Sequence, residues 1–167
     1  MAVTIPDITK MDRDEFLTFL DVTPNAQTHD FKVLGIGVTD YGISYNPQVD
    51  TEKWIIEKNA RNIHRSNQKQ GSVSQTIYKG DPCFDFVKDA RDETNYKTNI
   101  LDIDMFDGEG STYPATLSAG MIAITQFMNE DAVIEYDLYY NGDSVKGTVT
   151  FDSDGVPTFA ITPSASL

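Results

Sequence analysis

A chain of 167 residues, 40 % hydrophobic with eight Tyr and nine Phe, is long enough for one well-packed domain and too apolar to be disordered. Its formal net charge of −13 argues against a phosphate-binding surface over most of the molecule, and its one cysteine, Cys83, excludes an internal disulfide or a multi-cysteine zinc site. Membrane insertion is not expected, because no apolar run approaches the roughly 20 residues that span a bilayer.

The first 29 residues read as an N-terminal arm. They lack the basic start and apolar core of a secretory signal, which predicts a chain kept in a cytoplasm or carried out within something assembled there. Asp12-Arg13-Asp14-Glu15 has the form of a helix start, and Phe16, Leu17, Phe19 and Leu20 would give two apolar turns before Pro24. So short a helix needs a surface to cover, either the chain's own sheet or a neighbouring subunit.

Strands are expected over 30–39, with Phe31 and Val33 on one face, and over 43–49, where Pro47 marks an edge or a bulge. A turn at 40–42 would separate them. Residues 51–57 continue extended, with Trp54 and Ile56 on one face. Residues 59–70 then form a polar stretch, and so long a polar loop between strands usually has a task. Charge is unevenly spread: residues 1–49 sum to −4, 50–79 to +3 and 80–167 to −12. The basic island could be a solvated loop, or a surface that meets the acidic surface of another copy. Nucleic-acid binding there is weakened by an aromatic content of one tryptophan.

The organising stretch is 70–106. A strand over 71–78 is stopped by Lys79-Gly80-Asp81-Pro82, with Asp81 at a helix N-cap and Pro82 at the first helical position. Cys83, Phe84, Phe86, Val87 and Ala90 follow at the spacing of one apolar helix face, opposite Asp85, Lys88, Asp89, Asp92 and Glu93. This helix, about 81–94, must lie on a sheet. Alternation resumes over 100–106. Beyond it, strands are expected over 115–128, 132–140, 144–151 and 157–161, with Asn141-Gly142 as a hairpin turn. The fold class is mainly β: a two-sheet β-sandwich or partly closed barrel with one flanking helix, a long polar inter-strand loop and an N-terminal arm. The divisions are 1–29, the arm; 30–161, the β-sandwich domain; and 162–167, a flexible tail.

Chemistry is sparse. His29 and His64 each lie in polar stretches without a second ligand and read as surface histidines. The run from Asp102 to Gly108 resembles a calcium loop, yet its third Asp comes one position late and no closing glutamate follows. Among 26 acidic residues nothing singles out a catalytic pair. No cofactor, metal or catalytic residue is expected, and the chain does not read as an enzyme. Acidic side chains do alternate along two strands: Asp102 and Asp104 oppose Leu101, Ile103 and Met105, while Glu135 and Asp137 oppose Ile134, Tyr136, Leu138 and Tyr140. They are the solvent side of a sandwich or, if copies join their sheets into a ring, the wall of a hole that a polyanion passes without sticking.

The run from Thr148 to Phe159, preceded by the 136–140 strand and Asn-Gly, resembles the C-terminal end of bacteriophage tail tube proteins. The run from Thr51 to Ala60 with its polar loop, and Tyr78-Lys79-Gly80-Asp81-Pro82 opening a Phe-rich helix, resemble the middle of the same family. The similarity covers about 30–159. The family comprises the major tail proteins of long non-contractile phage tails, with relatives in contractile tails and type VI secretion tubes.

The resemblance implies a virion structural protein, assembled in the bacterial host cytoplasm, whose hexameric rings stack into a tail tube for genome ejection. It implies tape-measure, tail-tip and tail-terminator proteins as partners, and DNA that transits without specific binding. The contact loop between rings would carry Lys58, Arg61, His64, Arg65 and Lys69, and the inter-subunit arm Phe16, Leu17, Phe19 and Leu20. Asp102, Asp104, Glu135 and Asp137 would line the lumen. The alternative is a non-enzymatic binding module, carbohydrate-binding or capsid-decorating; a two-carboxylate hydrolase is a third reading.

Overall fold

Among residues 10–162, which the computed structural model describes, the pattern of alternation becomes ten strands and one α-helix. Residues 1–9 of the expected arm and 163–167 of the expected tail lie outside the described residues. In order the elements are β1 (Phe16–Asp21), β2 (Phe31–Val33), β3 (Val38–Ser44), β4 (Pro47–Glu52), β5 (Arg61–Asn67) and β6 (Gln70–Thr76). Then come α1 (Pro82–Asp89), β7 (Tyr96–Asp104), β8 (Thr112–Phe127), β9 (Val133–Phe151) and β10 (Pro157–Ile161). All strand pairs are antiparallel, in the order β2-β1-β7-β8-β9-β6-β3, with β10 also beside β9. This sheet curls strongly into a half-barrel, and β4 with β5 forms a second, small sheet. The expected class holds: mainly β, partly closed as a half-barrel, with one flanking helix, and the second sheet is the two-stranded β4–β5 ribbon.

The long β8 and β9 tie two cores together. Leu20, Ile100, Ile122, Ile134, Tyr136 and Leu138 gather on the face covered by α1, where Cys83, Phe84, Val87 and Ala90 are buried. Phe86 packs at the margin of that core, tilted against Tyr96 with ring centroids 5.0 Å apart. Phe19, Leu101, Ile103, Ala115 and Val149 gather on the other face, closed by Phe31, Phe151 and Phe159. Successive residues of a strand point oppositely, so the central strand β7 is buried on both sides.

Three local expectations are corrected. The segment expected as a short helix in the arm is a strand. Glu15 does accept the Asp12 N–H at 2.7 Å, but the helical turn stops at Arg13–Glu15. Pairing Leu17 with Ile103 and Phe19 with Leu101 lets both faces of β1 be covered, whereas a two-turn helix would cover one. Phe19 and Leu20 are therefore core residues of their own chain, and they are not free to dock on a neighbour.

Asn141-Gly142 is not a hairpin. It lies within β9, where Gly142 takes φ +66° and the β8–β9 register shifts between Leu117 and Ala119. A bulge uses the left-handed glycine that a tight turn would have used. Third, the expected 30–39 strand is split into β2 and β3, and the expected turn at 40–42 lies inside β3.

The helix starts where Asp81 caps it, accepting the Cys83 N–H at 3.0 Å, and ends after one 3-10 turn at Ala90–Asp92. Asp81 also accepts from the Gln75 amide at 2.7 Å; that amide reaches the Ile36 carbonyl at 2.8 Å, and Tyr136 donates to Gln75 Oε1 at 3.2 Å. This buried network fixes α1 to β6 and β9. Asp81→Ala removes the cap and one of the Gln75 amide's two acceptors, and is expected to cost about 2–3 kcal/mol. The check is a lower urea midpoint at unchanged slope.

Candidate assembly surfaces

The polar stretch after residue 58 is half of a projecting ribbon and not a loop. Among the described residues β4 and β5 pair with each other and with no other strand, with Glu52 opposite Arg61 and Pro47 opposite Asn67. At its tip the chain turns through Trp54 and Glu57, whose backbone groups bond at 3.0 Å. Ile55 is fully exposed, Ile56 is 85 % exposed and Trp54 55 %. Among the described residues, three consecutive exposed apolar side chains in a chain of this charge mark an apolar patch of the kind that contacts bury.

The expected basic contact residues fare unequally. Arg61 pairs with Glu57 and lies over the Trp54 ring, 3.9 Å from its centroid. Arg65 pairs with Asp50 at 3.0 Å and Glu52 at 2.9 Å. His64 Nε2 lies 2.8 Å from Asn67 Oδ1. Lys58 is exposed on the tip. Lys69 is withdrawn from the set: its ammonium is 2.9 Å from the buried Asp102 carboxylate and 3.9 Å from the Tyr140 ring centroid. The ribbon's own acids thus offset much of the basic island.

Lys69 works instead at the joint between ribbon and body. The chain leaves β3 through Asn46, at φ 42°, whose amide donates to the Gln68 carbonyl at 3.1 Å; Gln68 N–H donates to the Tyr45 carbonyl at 2.9 Å. One residue on, Lys69 is held by Asp102. That carboxylate also accepts from Thr18 at 2.8 Å and from Tyr140 at 3.1 Å, and the Tyr140 and Tyr41 hydroxyls lie 3.2 Å apart. A strand of the body therefore fixes the base of the ribbon through an almost dry ion pair.

Asp102 is accordingly not a lining residue. Nor do the other three expected lumen acids share a wall. Asp104 follows Asp102 on the α1 side of β7, half-buried, where burial first and then the charges of Asp107 and Asp102 push its carboxyl up. Glu135 and Asp137 alternate with the buried Tyr136 and so point away from α1. They share a shallow outer face with Asp40, Ser72, Ser74 and Thr125, where Ser72 donates to Asp137 at 2.8 Å. This acid- and hydroxyl-lined face of β3, β6 and β9 is the surviving candidate for an anionic wall, and Asp40 is its unanticipated member.

On the side where β1 meets β3, Phe16 joins Met11, Arg13, Tyr41, Ile43 and Tyr45 in a mainly apolar groove of about 310 Å³. The Arg13 guanidinium lies 5.9 Å from the Phe16 centroid and 5.5 Å from that of Tyr41. Leu17 lies in the cleft adjoining it. Elsewhere His29, expected as a plain surface residue, has Nδ1 2.7 Å from the buried carboxylate of Asp21, which also accepts from Asn99 at 2.7 Å. The pair pins the 21–30 turn.

Alternation alone could have flagged Trp54 and Ile56, but not that a ribbon would carry them clear of the body. Nor could it have paired Asp102 with Lys69, 33 residues distant.

No family model matches the chain, and no curated protein matches it. Among solved structures it is similar to a chain of the anti-feeding prophage baseplate, determined by cryo-electron microscopy with six-fold symmetrisation. The identity is 11 %, the TM-score 0.45, and the alignment covers 86 % of this chain and 97 % of that one. That likeness is too distant to carry a function across.

Two outcomes test the joint. Lys69→Met leaves the Asp102 charge buried without its partner and is expected to cost about 3 kcal/mol, read as a lower urea midpoint. Burial, reinforced by the Asp102 charge, raises the Tyr41 hydroxyl to about 12 and pushes that of Tyr140 up further. Unfolded tyrosine ionises near pH 10, so the stability these phenols contribute is intact below about pH 10 and is lost as pH rises through 12. A spectrophotometric titration followed together with circular dichroism should show these phenols ionising only as the strands unfold.

Proposed function

We propose that this chain is a self-assembling structural subunit of a phage tail, forming hexameric rings that stack into a tail tube through which DNA is delivered. The observation that carries the reading is the β4–β5 ribbon, whose apolar tip projects from the body. Burying three such side chains on another subunit is worth about 1.5–3 kcal/mol each before association costs. The motif resemblance over 30–159 supplies the kind of assembly. The margins at β3 and β10, unpaired among the described residues, suit continuation of the sheet by a neighbour, and the outer acidic face suits a wall that repels DNA.

On this reading the tape-measure, tail-tip and tail-terminator proteins are its partners, no cofactor or catalysis is involved, and it resides in the virion after assembly in the host cytoplasm. A sugar-binding platform is less well supported. The one tryptophan, the natural candidate for stacking on a sugar ring, already has a guanidinium over its face. Trp54→Ser with Ile55→Ser and Ile56→Ser is expected to leave a folded monomer with an unchanged urea midpoint but no tubes in negative-stain micrographs. Normal tubes from that variant would refute the assembly role of the tip.

A further inference from the structure

We propose that the ribbon tip of one copy, residues 54–56, seats in the groove between Met11, Phe16, Tyr41, Ile43 and Tyr45 of a second copy. This rests on the assembly reading above and names the partner surface of the arm. The two surfaces match in chemistry: both are apolar and aromatic, and both are exposed where water is least welcome. They also match in charge. Lys53 and Lys58 flank the tip, exposed and without an ion pair among the described residues, while the groove and the cleft that adjoins it carry two acids, Asp14 and Asp40, against one cation, Arg13, whose guanidinium lies over Phe16 and Tyr41.

The tip cannot reach the groove of its own chain. Tyr45 lies at the base of the ribbon, and the six paired residues of β4 carry the tip about 20 Å away from it. The hydrogen bonds of Asn46 and Gln68 and the Lys69–Asp102 pair hold that base in place. A tip on one copy and a groove on the next make a heterologous contact, which closes into a ring where the rotation between copies closes and runs on as an open stack where it does not.

Disulfide trapping decides it. Cys83, the one native cysteine, is buried and its thiol is pushed up to about 12, so it does not compete. A chain carrying both Ile55→Cys and Tyr45→Cys, mildly oxidised at assembling concentration, should give a ladder of covalent multimers. The ladder should form about tenfold faster, or more, than from Ile55→Cys with Asp154→Cys, because assembly holds the partner thiols together. Dimers formed equally fast by Ile55→Cys alone would show tip-to-tip contact and overturn the proposal. So would trapping that appears only once residues 1–9 are removed, since the groove would then belong to that segment. If trapping does not exceed the control while the unmodified chain forms tubes, this assignment fails and the tube reading stands. If neither trapping nor tubes appear, both fail.

Discussion

The central strand has no solvent side. Ile100, Leu101, Asp102 and Ile103 are consecutive and all buried, so each face of the sheet must be covered at this strand. The helix covers one. On the other, the sheet curls until the aromatic rings of β2, β9 and β10 close over it. A fully buried aliphatic side chain is worth about 1.5–3 kcal/mol, and three lie here in four positions. The fourth is a carboxylate, whose burial without a cation and hydrogen-bond donors would be costly. Lys69, Thr18 and Tyr140 answer that need, and in doing so connect the core to the base of the ribbon. One buried charge therefore links the packing of the body to the direction of its projection.

A net charge of −13 keeps copies of the chain apart over most of their surface. Against that background, the places where association is favourable stand out by contrast. The ribbon tip is apolar, and its arginines are engaged with their own acids and with Trp54. Contact made through the tip would draw on removal of apolar area from water, with charge acting to exclude other approaches. Arg61 and Arg65 shape the ribbon more than they advertise it.

The helix was readable because its signals are local: Asp81, Pro82 and an apolar spacing that needs nothing from the rest of the chain. Most strands were readable for the same reason. The segment Phe16–Asp21 was not, because its capping residues and apolar pairs fit a helix equally well, and only the waiting edge of β7 decides between them. Asn141-Gly142 misleads because a left-handed glycine serves a bulge as well as a turn. At the candidate surfaces the half-buried carboxylates Glu135 and Asp137, which face away from the helix, were legible from alternation. Asp102 was not: its alternation is identical to theirs, and its burial depends on Lys69 arriving from another strand. The ribbon was hidden because polar composition describes a solvated strand and a solvated loop alike.

A ribbon rooted at one margin gives each subunit a front and a back. In a column built from such subunits, one extremity would display bare hydrophobic prongs and the opposite one vacant aromatic sockets. Factors that stop growth or attach cargo would then be chemically distinct at the two extremities, a socket-bearing cap at one and a prong-bearing cap at the other. Directionality of the whole column would follow from the single asymmetric subunit.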